Sequence, residues 1–487
     1  MLPSRPMSHS TRPYLFYSAT RALCGECLRI VDAKEQLEDG KVYLWKRCPR
    51  HGVQRVLLSD DVDYYRLGRE KFLKVPEQVQ RANTGVVHGC PYDCGICPDH
   101  EQHGCVSILE VTEHCNLRCP TCYASSGPER TTHRPLAQLE RMLDLIVANE
   151  GEVDVLQVSG GEPTTHPELF AILDACRARP VRHLMLNTNG VRLATEDGFA
   201  ERLAAYAPRF EVYLQFDSLE RDALMHLRGA DLRAVHEQAL ARLDALNLST
   251  TLVMTVKRGV NDDEIGAVLR EAARHRCVRG VTLQPVQDAG RTGDFDAQLH
   301  RLTLSEVRRR VLEQFPVFAP ADIIPVPCHA ECLAMAYALR GDDGALTPLT
   351  RYVDPQLLLD GVHNTITFEA EKLATARFAE ALTHTFSTGH GPEGASTALH
   401  DLLCCLPRVE APPQLGYDRV FRVVIMQFLD RHTLDLRSVR KSCVHIAHPD
   451  GKRMIPFDTY NVLYRDALEA DVLGPLRAEL ETLRHRA

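Results

Sequence analysis

The chain has 487 residues, 44% of them hydrophobic, and a formal net charge of −8. That length supports two to four domains, or one large domain with appendages, and the acidic balance gives no electrostatic case for a nucleic-acid partner. No run of 18 apolar residues predicts a membrane span, and the start "MLPSRPMSHSTRPYLFYSAT" lacks the apolar stretch of a secretory signal, so a cytoplasmic location is expected.

The 17 cysteines cluster at ligand spacings, which in a reducing compartment predicts metal sites and not disulfides. Cys176 and Cys277 stand apart and are expected to be small buried hydrophobes. Near the N-terminus "CGEC" and "CPRHG" flank a β-like segment, "KVYLWK". Cys24, Cys27, Cys48 and His51 make a compact tetrahedral set for zinc or a rubredoxin-like iron, and a full set of four ligands points to structure. A Cys/Gly/Pro/His loop follows over residues 86–105. Its C-x3-C-x2-C run is Cys90, Cys94 and Cys97, with Cys105 eight residues on. These four thiols predict a closed auxiliary iron–sulfur cluster, zinc being the alternative. His88, His100 and His103 nearby are expected to be solvated loop histidines.

From residue 105 to about 315, short apolar runs alternate with helical periodicity. Strands are expected at "VSILEV" (106–111), "VDVLQV" (153–158), "HLMLN" (183–187), "FEVYLQF" (210–216), "LSTTLVMTV" (248–256) and "GVTLQPV" (280–286). Leu136, Leu139, Leu143, Ile146 and Val147 recur at helical spacing, and helices are expected over roughly 196–205, 231–246 and 262–274. Six strands alternating with helices imply a parallel sheet, open or curled into a partial barrel. The reactive end of either lies at the C-terminal ends of the strands. The polar and Gly-rich pieces "TEHCNLRCPTCY", "SGGEPT", "NTNG", "DS" and "GVND" all fall there.

"TEHCNLRCPTCY" repeats the C-x3-C-x2-C spacing with Cys115, Cys119 and Cys122, and no fourth cysteine lies nearby. Three thiolates can hold three corners of an iron–sulfur cube and leave one iron open for a substrate or cofactor. "CNLRCPTCY", with Tyr123 closing it and "SGGEPT" one β–α unit later, resembles the radical S-adenosylmethionine (SAM) superfamily. The resemblance implies a partial (β/α)6 barrel, a SAM-binding [4Fe–4S] cluster on Cys115, Cys119 and Cys122, and hydrogen abstraction from an unactivated carbon after reductive cleavage of SAM. By motif position it implies Gly160, Gly161, Glu162 and Pro163 around the SAM amino group. Asn187, Asn189, Gln215 and Asp217 are candidates for ribose or carboxylate contacts, with Val260 and Asn261 flanking the adenine. Helix capping and turn formation are the bland alternatives for these polar residues.

A further cysteine set lies late in the chain: Cys328 and Cys332 in "VPCHAEC", Cys404 and Cys405, and Cys443 before the hairpin turn "HPDGK". His445 faces the same side as Cys443 by strand alternation and is expected to be packed or hydrogen-bonded. Together with "GCPYDCGICPDHEQHGC", "QPVQDAGRTG" and "HPDGKRMIPFDTYN", these blocks resemble the subgroup containing tetraether lipid synthase (Tes) and methanopterin methylase-like enzymes. The subgroup implies three iron–sulfur clusters and a rubredoxin-like N-terminal site. Where it commonly reads "IPFCAYN", this chain has Asp458, so the ligand set of the third cluster is open.

The expected organisation is an N-terminal rubredoxin-like or zinc-ribbon-like module (1–85), an auxiliary-cluster loop (86–105), the barrel (106–318) and a C-terminal α+β cluster and substrate-covering region (319–487). The expected function is carbon–carbon bond formation at an unactivated carbon, with coupling of lipid chains as the main reading and C-methylation of a pterin or other small molecule as the alternative. A metal-stabilised binding module without activity is the third reading, and it leaves "SGGEPT" unexplained. The expected partners are a small-molecule or lipid substrate and a reductase, ferredoxin or flavodoxin as electron donor. Peripheral membrane contact applies to the lipid case.

Overall fold

The computed structural model describes residues 12–73, 78–293, 295–341, 343–351, 355 and 419–485. Four antiparallel strands come first: β1 (Leu15–Leu23), β2 (Ile30–Glu38), β3 (Lys41–Cys48) and β4 (Gly52–Ser59), paired in sequence order. Asp39 and Gly40, with φ of 51° and 71°, turn β2 into β3. An Asp-Gly pair suits that tight hairpin because both central residues need positive φ.

The second sheet is built on six strands: β5 (Val106–Thr112), β6 (Val153–Gly160), β7 (Val181–Thr188), β8 (Phe210–Gln215), β9 (Thr250–Val256) and β10 (Val278–Pro285). They lie side by side in chain order, all parallel. Helices Leu136–Glu150, Leu169–Arg177, Arg233–Ala245 and Ile265–Arg274 fill the crossovers. The helix expected over 196–205 is instead two short ones, Val191–Thr195 and Phe199–Ala204, separated at Gly198, whose φ is +78°. β5 is buried at all seven positions, as a strand covered on both faces must be.

The parallel run does not stop at six. After the short strands β11 (Ile324–Pro325), β12 (Leu333–Arg340) and β13 (Leu346–Pro348), strand β14 (Val420–Met426) adds parallel to β10. Strand β15 (Val444–Ala447) adds parallel to β5 at the opposite edge, with Val444 against Val106, and β16 (Met454–Pro456) pairs antiparallel to β15. Residues from all eight parallel strands line one cavity, among them Ile108, Gln157, Tyr213, Thr282, Val424 and Val444, so the sheet curls into a partial barrel. Alternation divides the strands between two cores. Leu156, Leu184, Val212 and Leu252 face the helices, whereas Val155, Met185, Tyr213 and Val253 face the lumen. Among the described residues no helix is long and apolar enough to cross a membrane.

Candidate active site and metal centres

The loop after β5 carries Cys115, Cys119 and Cys122 to the mouth of the lumen, which all three line with Tyr123, Gly160 and Gly161. Backbone pairing fixes the loop. Cys122 and Arg291 exchange hydrogen bonds at 2.7 and 2.9 Å, and the Arg291 guanidinium donates to the carbonyls of Cys119 and Ser126, both at 2.6 Å. A Cβ on Gly160 would stand 2.3 Å from the Thr112 carbonyl, and one on Gly161 2.1 Å from that of His114. Only glycine lets the end of β6 press against the cysteine loop.

Burial, then the neighbouring charges of Glu162, Cys119 and Cys122, push the Cys115 thiol up to about 12, against a backbone donor from Leu117. Burial also raises Cys119, opposed by the Arg228 guanidinium beside it. Buried thiols such as Cys115 and Cys119 are costly as free thiolates, and a metal partner would relieve that cost. The three-thiol donor set, with no fourth cysteine along the lumen wall, fits a cluster with one open corner.

The lining around them is tied together. Glu162 Oε1 accepts from Thr164 N and Oγ1 and from Thr188 Oγ1, and Oε2 accepts from Asn189 N at 2.7 Å. Burial raises its pKa against these donors. Pro163 opens the short 3₁₀ turn that Glu162 caps. Asn189 Nδ2 donates to Asn116, Asn187 Nδ2 to Ser159 Oγ, and Gln215 Nε2 to Asn187 Oδ1. Arg228 bonds Asp217 and donates to Gln215 Oε1 at 2.8 Å. Asp217, Val260 and Asn261 do not line the lumen. The Asn261 amide is spent on the Asp217 and Thr255 carbonyls and on Lys257 N, so it braces the loop ends behind the wall. Aromatic rings close the mouth: Phe457 lies 4.0 Å from Phe428 and 5.1 Å from Tyr123, centroid to centroid. Arg465, paired with Glu110 at 2.7 and 3.1 Å, sits 5.5 Å above the Tyr123 ring.

Among the described residues the fold brings together three other cysteine groups. The ligand atoms of Cys24, Cys27, Cys48 and His51 all lie within 4.8 Å of one another, where the β1–β2 and β3–β4 turns meet. Cys90, Cys94 and Cys97 open onto a small cavity also lined by His100, Val439 and Arg440. Cys105 is not with them. Its thiol lies within 4.8 Å of those of Cys328 and Cys443, the last two 3.7 Å apart. The cause is strand register: Val106 pairs with Val444 and Val106 N donates to the Cys443 carbonyl, so the residues just before the two strands sit side by side. Cys332 is buried within electrostatic reach of Cys443 and Asp458. Asp458 itself accepts from Leu429 N at 2.6 Å and from Ser442 Oγ at 2.7 Å.

His100 is not a solvated loop residue. It is 7% exposed, its Nε2 lies 3.0 Å from both the Ser442 carbonyl and His445 Nε2, and burial lowers its pKa to about 4. His103 pairs with Glu150 and approaches Cys105, while His88 faces Glu481. Cys176 and Cys277 are fully buried. Cys404 and Cys405 lie outside the described residues. Arg228, Arg291 and the Phe428–Phe457 pair had gone unnoticed in the sequence. Only Arg291, in the Gly-flanked "QDAGRTG" after the last barrel strand, carried a signal.

Residues 109–272 match the family model of the radical SAM superfamily, and residues 16–60 match that of the HMPTM N-terminal zinc ribbon domain. The chain is 28% identical over 495 aligned residues to a Methanocaldococcus jannaschii protein named 7,8-dihydro-6-hydroxymethylpterin dimethyltransferase, covering 94% of this chain and 96% of that one. It is 30% identical over 214 residues to a GTP 3',8-cyclase of Chlorobaculum tepidum, covering 43% of this chain and 61% of the relative. Among solved structures, Streptococcus suis SuiB bound to precursor peptide SuiA aligns with a TM-score of 0.36 and 16% identity over 44% of this chain and 45% of SuiB.

Proposed function

We propose that this chain, an enzyme whose barrel belongs to the radical SAM superfamily, methylates carbon on a compact heterocycle of the dihydropterin type. The observation that carries the reading is the lumen wall. Between apolar patches such as Ile108, Met185 and Val424 it presents Gln157, Tyr213, Thr282, Gln284 and Arg422. An alkyl chain laid along that wall would strip water from the groups that keep hydrogen-bonding capacity toward the cavity, the Gln157 amide and the Gln284 carbonyl, at a cost of about 1–3 kcal/mol each. A heterocycle with amide and amine edges satisfies them. Lipid-chain coupling gains no support from such a lining. The pterin alternative accords with the name of the Methanocaldococcus relative.

In this reading Cys115, Cys119 and Cys122 hold the SAM-binding [4Fe–4S] cluster. When bound, cluster and SAM together supply reductive sulfonium cleavage and hydrogen abstraction from carbon. The protein's part is placement. Gly160 and Gly161 let backbone approach the SAM amino group, with the remaining acceptor capacity of Glu162 aimed there, and Asn187, Asn189 and Gln215 contact the ribose or carboxylate. Tyr123, Phe428 and Phe457 exclude water from the mouth. Cys90, Cys94 and Cys97 hold one auxiliary cluster. Cys105, Cys328 and Cys443 hold a second, with Cys332 the fourth thiol in reach, since the Asp458 carboxylate is already engaged by Ser442 and Leu429. Cys24, Cys27, Cys48 and His51 hold zinc in the ribbon.

The test is anaerobic incubation of the reconstituted protein with SAM, a low-potential reductant, 7,8-dihydro-6-hydroxymethylpterin and a labelled one-carbon donor. The expected result is 5′-deoxyadenosine together with label on pterin carbon. Label that never enters the pterin while lipid chains become joined would overturn the substrate reading. Purified protein containing zinc but no iron or sulfide would overturn the radical chemistry as well.

A further inference from the structure

Deep in the lumen, below the cysteine loop, stand polar groups that the SAM site does not use. Gln157, inward on β6, borders the cavity with a side chain that makes no hydrogen bond to any described residue. Across the lumen Gln284, on β10, turns its amide nitrogen onto Tyr213 Oη at 3.1 Å. Its carbonyl keeps its acceptor capacity for the cavity. Tyr213 also bonds Thr282. At the floor lies Arg422, contributed by β14. Its guanidinium is gripped by Glu211 at 2.8 and 3.0 Å, and the same carboxylate takes a bond from His183 at 3.0 Å and one from Thr251.

We infer that this floor reads the donor–acceptor edge of an uncharged planar heterocycle, with Gln157 and Gln284 as its two specificity-determining amides, and that it discriminates against phosphorylated forms. This deepens the proposed function and rests on it. An amide carries a donor and an acceptor side by side in one plane, which matches the in-plane lactam and amino groups of a pterin. The charge balance supplies the rest. The two cations bordering the lumen are Arg228 and Arg422, and each already faces a carboxylate, Asp217 and Glu211. A phosphate brought into this space would be desolvated beside neutralised pairs, with no uncompensated cation among the described lining to receive it.

The experiment is anaerobic titration calorimetry of the reconstituted, SAM-loaded protein with four probes: 6-hydroxymethyl-7,8-dihydropterin, its phosphate ester, guanine, and unsubstituted pteridine, which lacks the amino and oxo groups. The dihydropterin should bind at least tenfold more tightly than its phosphate ester. Gln157→Leu and Gln284→Leu should each weaken dihydropterin binding about tenfold, as loss of one buried hydrogen bond implies. Neither should change the weaker binding of unsubstituted pteridine, and iron content and melting temperature should stay at wild-type values. Wild-type affinity for dihydropterin in both variants, or a phosphate ester that binds as tightly as the parent, would overturn the inference. Guanine binding that depends on both glutamines, with no dihydropterin binding, would sustain the floor's role and overturn the pterin reading instead.

Discussion

The two C-x3-C-x2-C loops carry the same spacing and meet different surroundings. Cys90, Cys94 and Cys97 face only a small cavity, and the protein braces their loop closely. Asp93 gathers three backbone N–H groups within 2.5–2.7 Å, Tyr464 Oη accepts from Cys94 N at 2.8 Å, and Thr459 bonds the Cys94 thiol. At Cys115, Cys119 and Cys122 the loop leaves a barrel strand and its thiols look into the lumen. Spacing sets how three thiols can share a cluster. What stands opposite them decides whether that cluster meets a substrate.

Replacing a residue on each side of this comparison should separate the roles. Cys119→Ala should abolish 5′-deoxyadenosine formation, read by mass spectrometry, because the cluster proposed there would lose a ligand. Cys94→Ala should keep 5′-deoxyadenosine formation but lose the coupled, methylated product. If both variants lose SAM cleavage equally, the loops are not functionally distinct. On the proposed ligand sets, Cys443→Ser should remove about one cluster's worth of iron and sulfide, the share assigned to Cys105, Cys328 and Cys443, and leave that assigned to the Cys90 loop. Glu211→Gln should destabilise the barrel by about 3 kcal/mol, since it strands a buried Arg422, measured by anaerobic denaturant unfolding. The paired Arg422 and His183, outweighing burial, hold the Glu211 carboxyl well below the usual carboxylate range. Its contribution is therefore complete above the unfolded glutamate pKa of about 4.3. The wild-type advantage should stay flat from pH 8 to pH 5 and shrink only as acid falls through the depressed folded value. The smallest effect belongs to Asp61, whose carboxylate caps helix Val62–Glu70 at Tyr64 N. Asp61→Ala should cost about 1 kcal/mol.

Much of the barrel was legible because its strands are short apolar runs separated by amphipathic helices, and their parallel neighbours are also sequence neighbours. What failed was long-range register. β14 and β15 flank the run β5–β10, whose last strand precedes β14 by more than a hundred residues. Nearness in sequence suggested Cys97 as the company of Cys105, but the β5–β15 pairing sets it beside Cys443 instead. His100 looked like a loop histidine for the same reason, since its partners Ser442 and His445 come from the far end of the chain. The "SGGEPT" turn could be placed but not the detail of its carboxylate, which ties β6 to β7 through Thr188 and Asn189. Asn261 shows the reverse error: its position suited a ligand contact, and the fold spends it on backbone carbonyls.

The one-turn helix Phe457–Thr459 links all of this in three consecutive residues. Phe457 covers the lumen mouth, Asp458 stands beside Cys332 and Cys443, and Thr459 touches Cys94. On the ribosome Cys443 appears more than three hundred residues after Cys105. At about 5–20 residues per second, Cys105 waits on the order of tens of seconds for Cys443. The ribbon, whose four proposed ligands fall within one short stretch, can take its metal before Cys443 is made. On the proposed ligand sets the site at Cys105 cannot be completed until Cys443 has emerged, so metal loading would follow a timetable, ribbon before barrel edge.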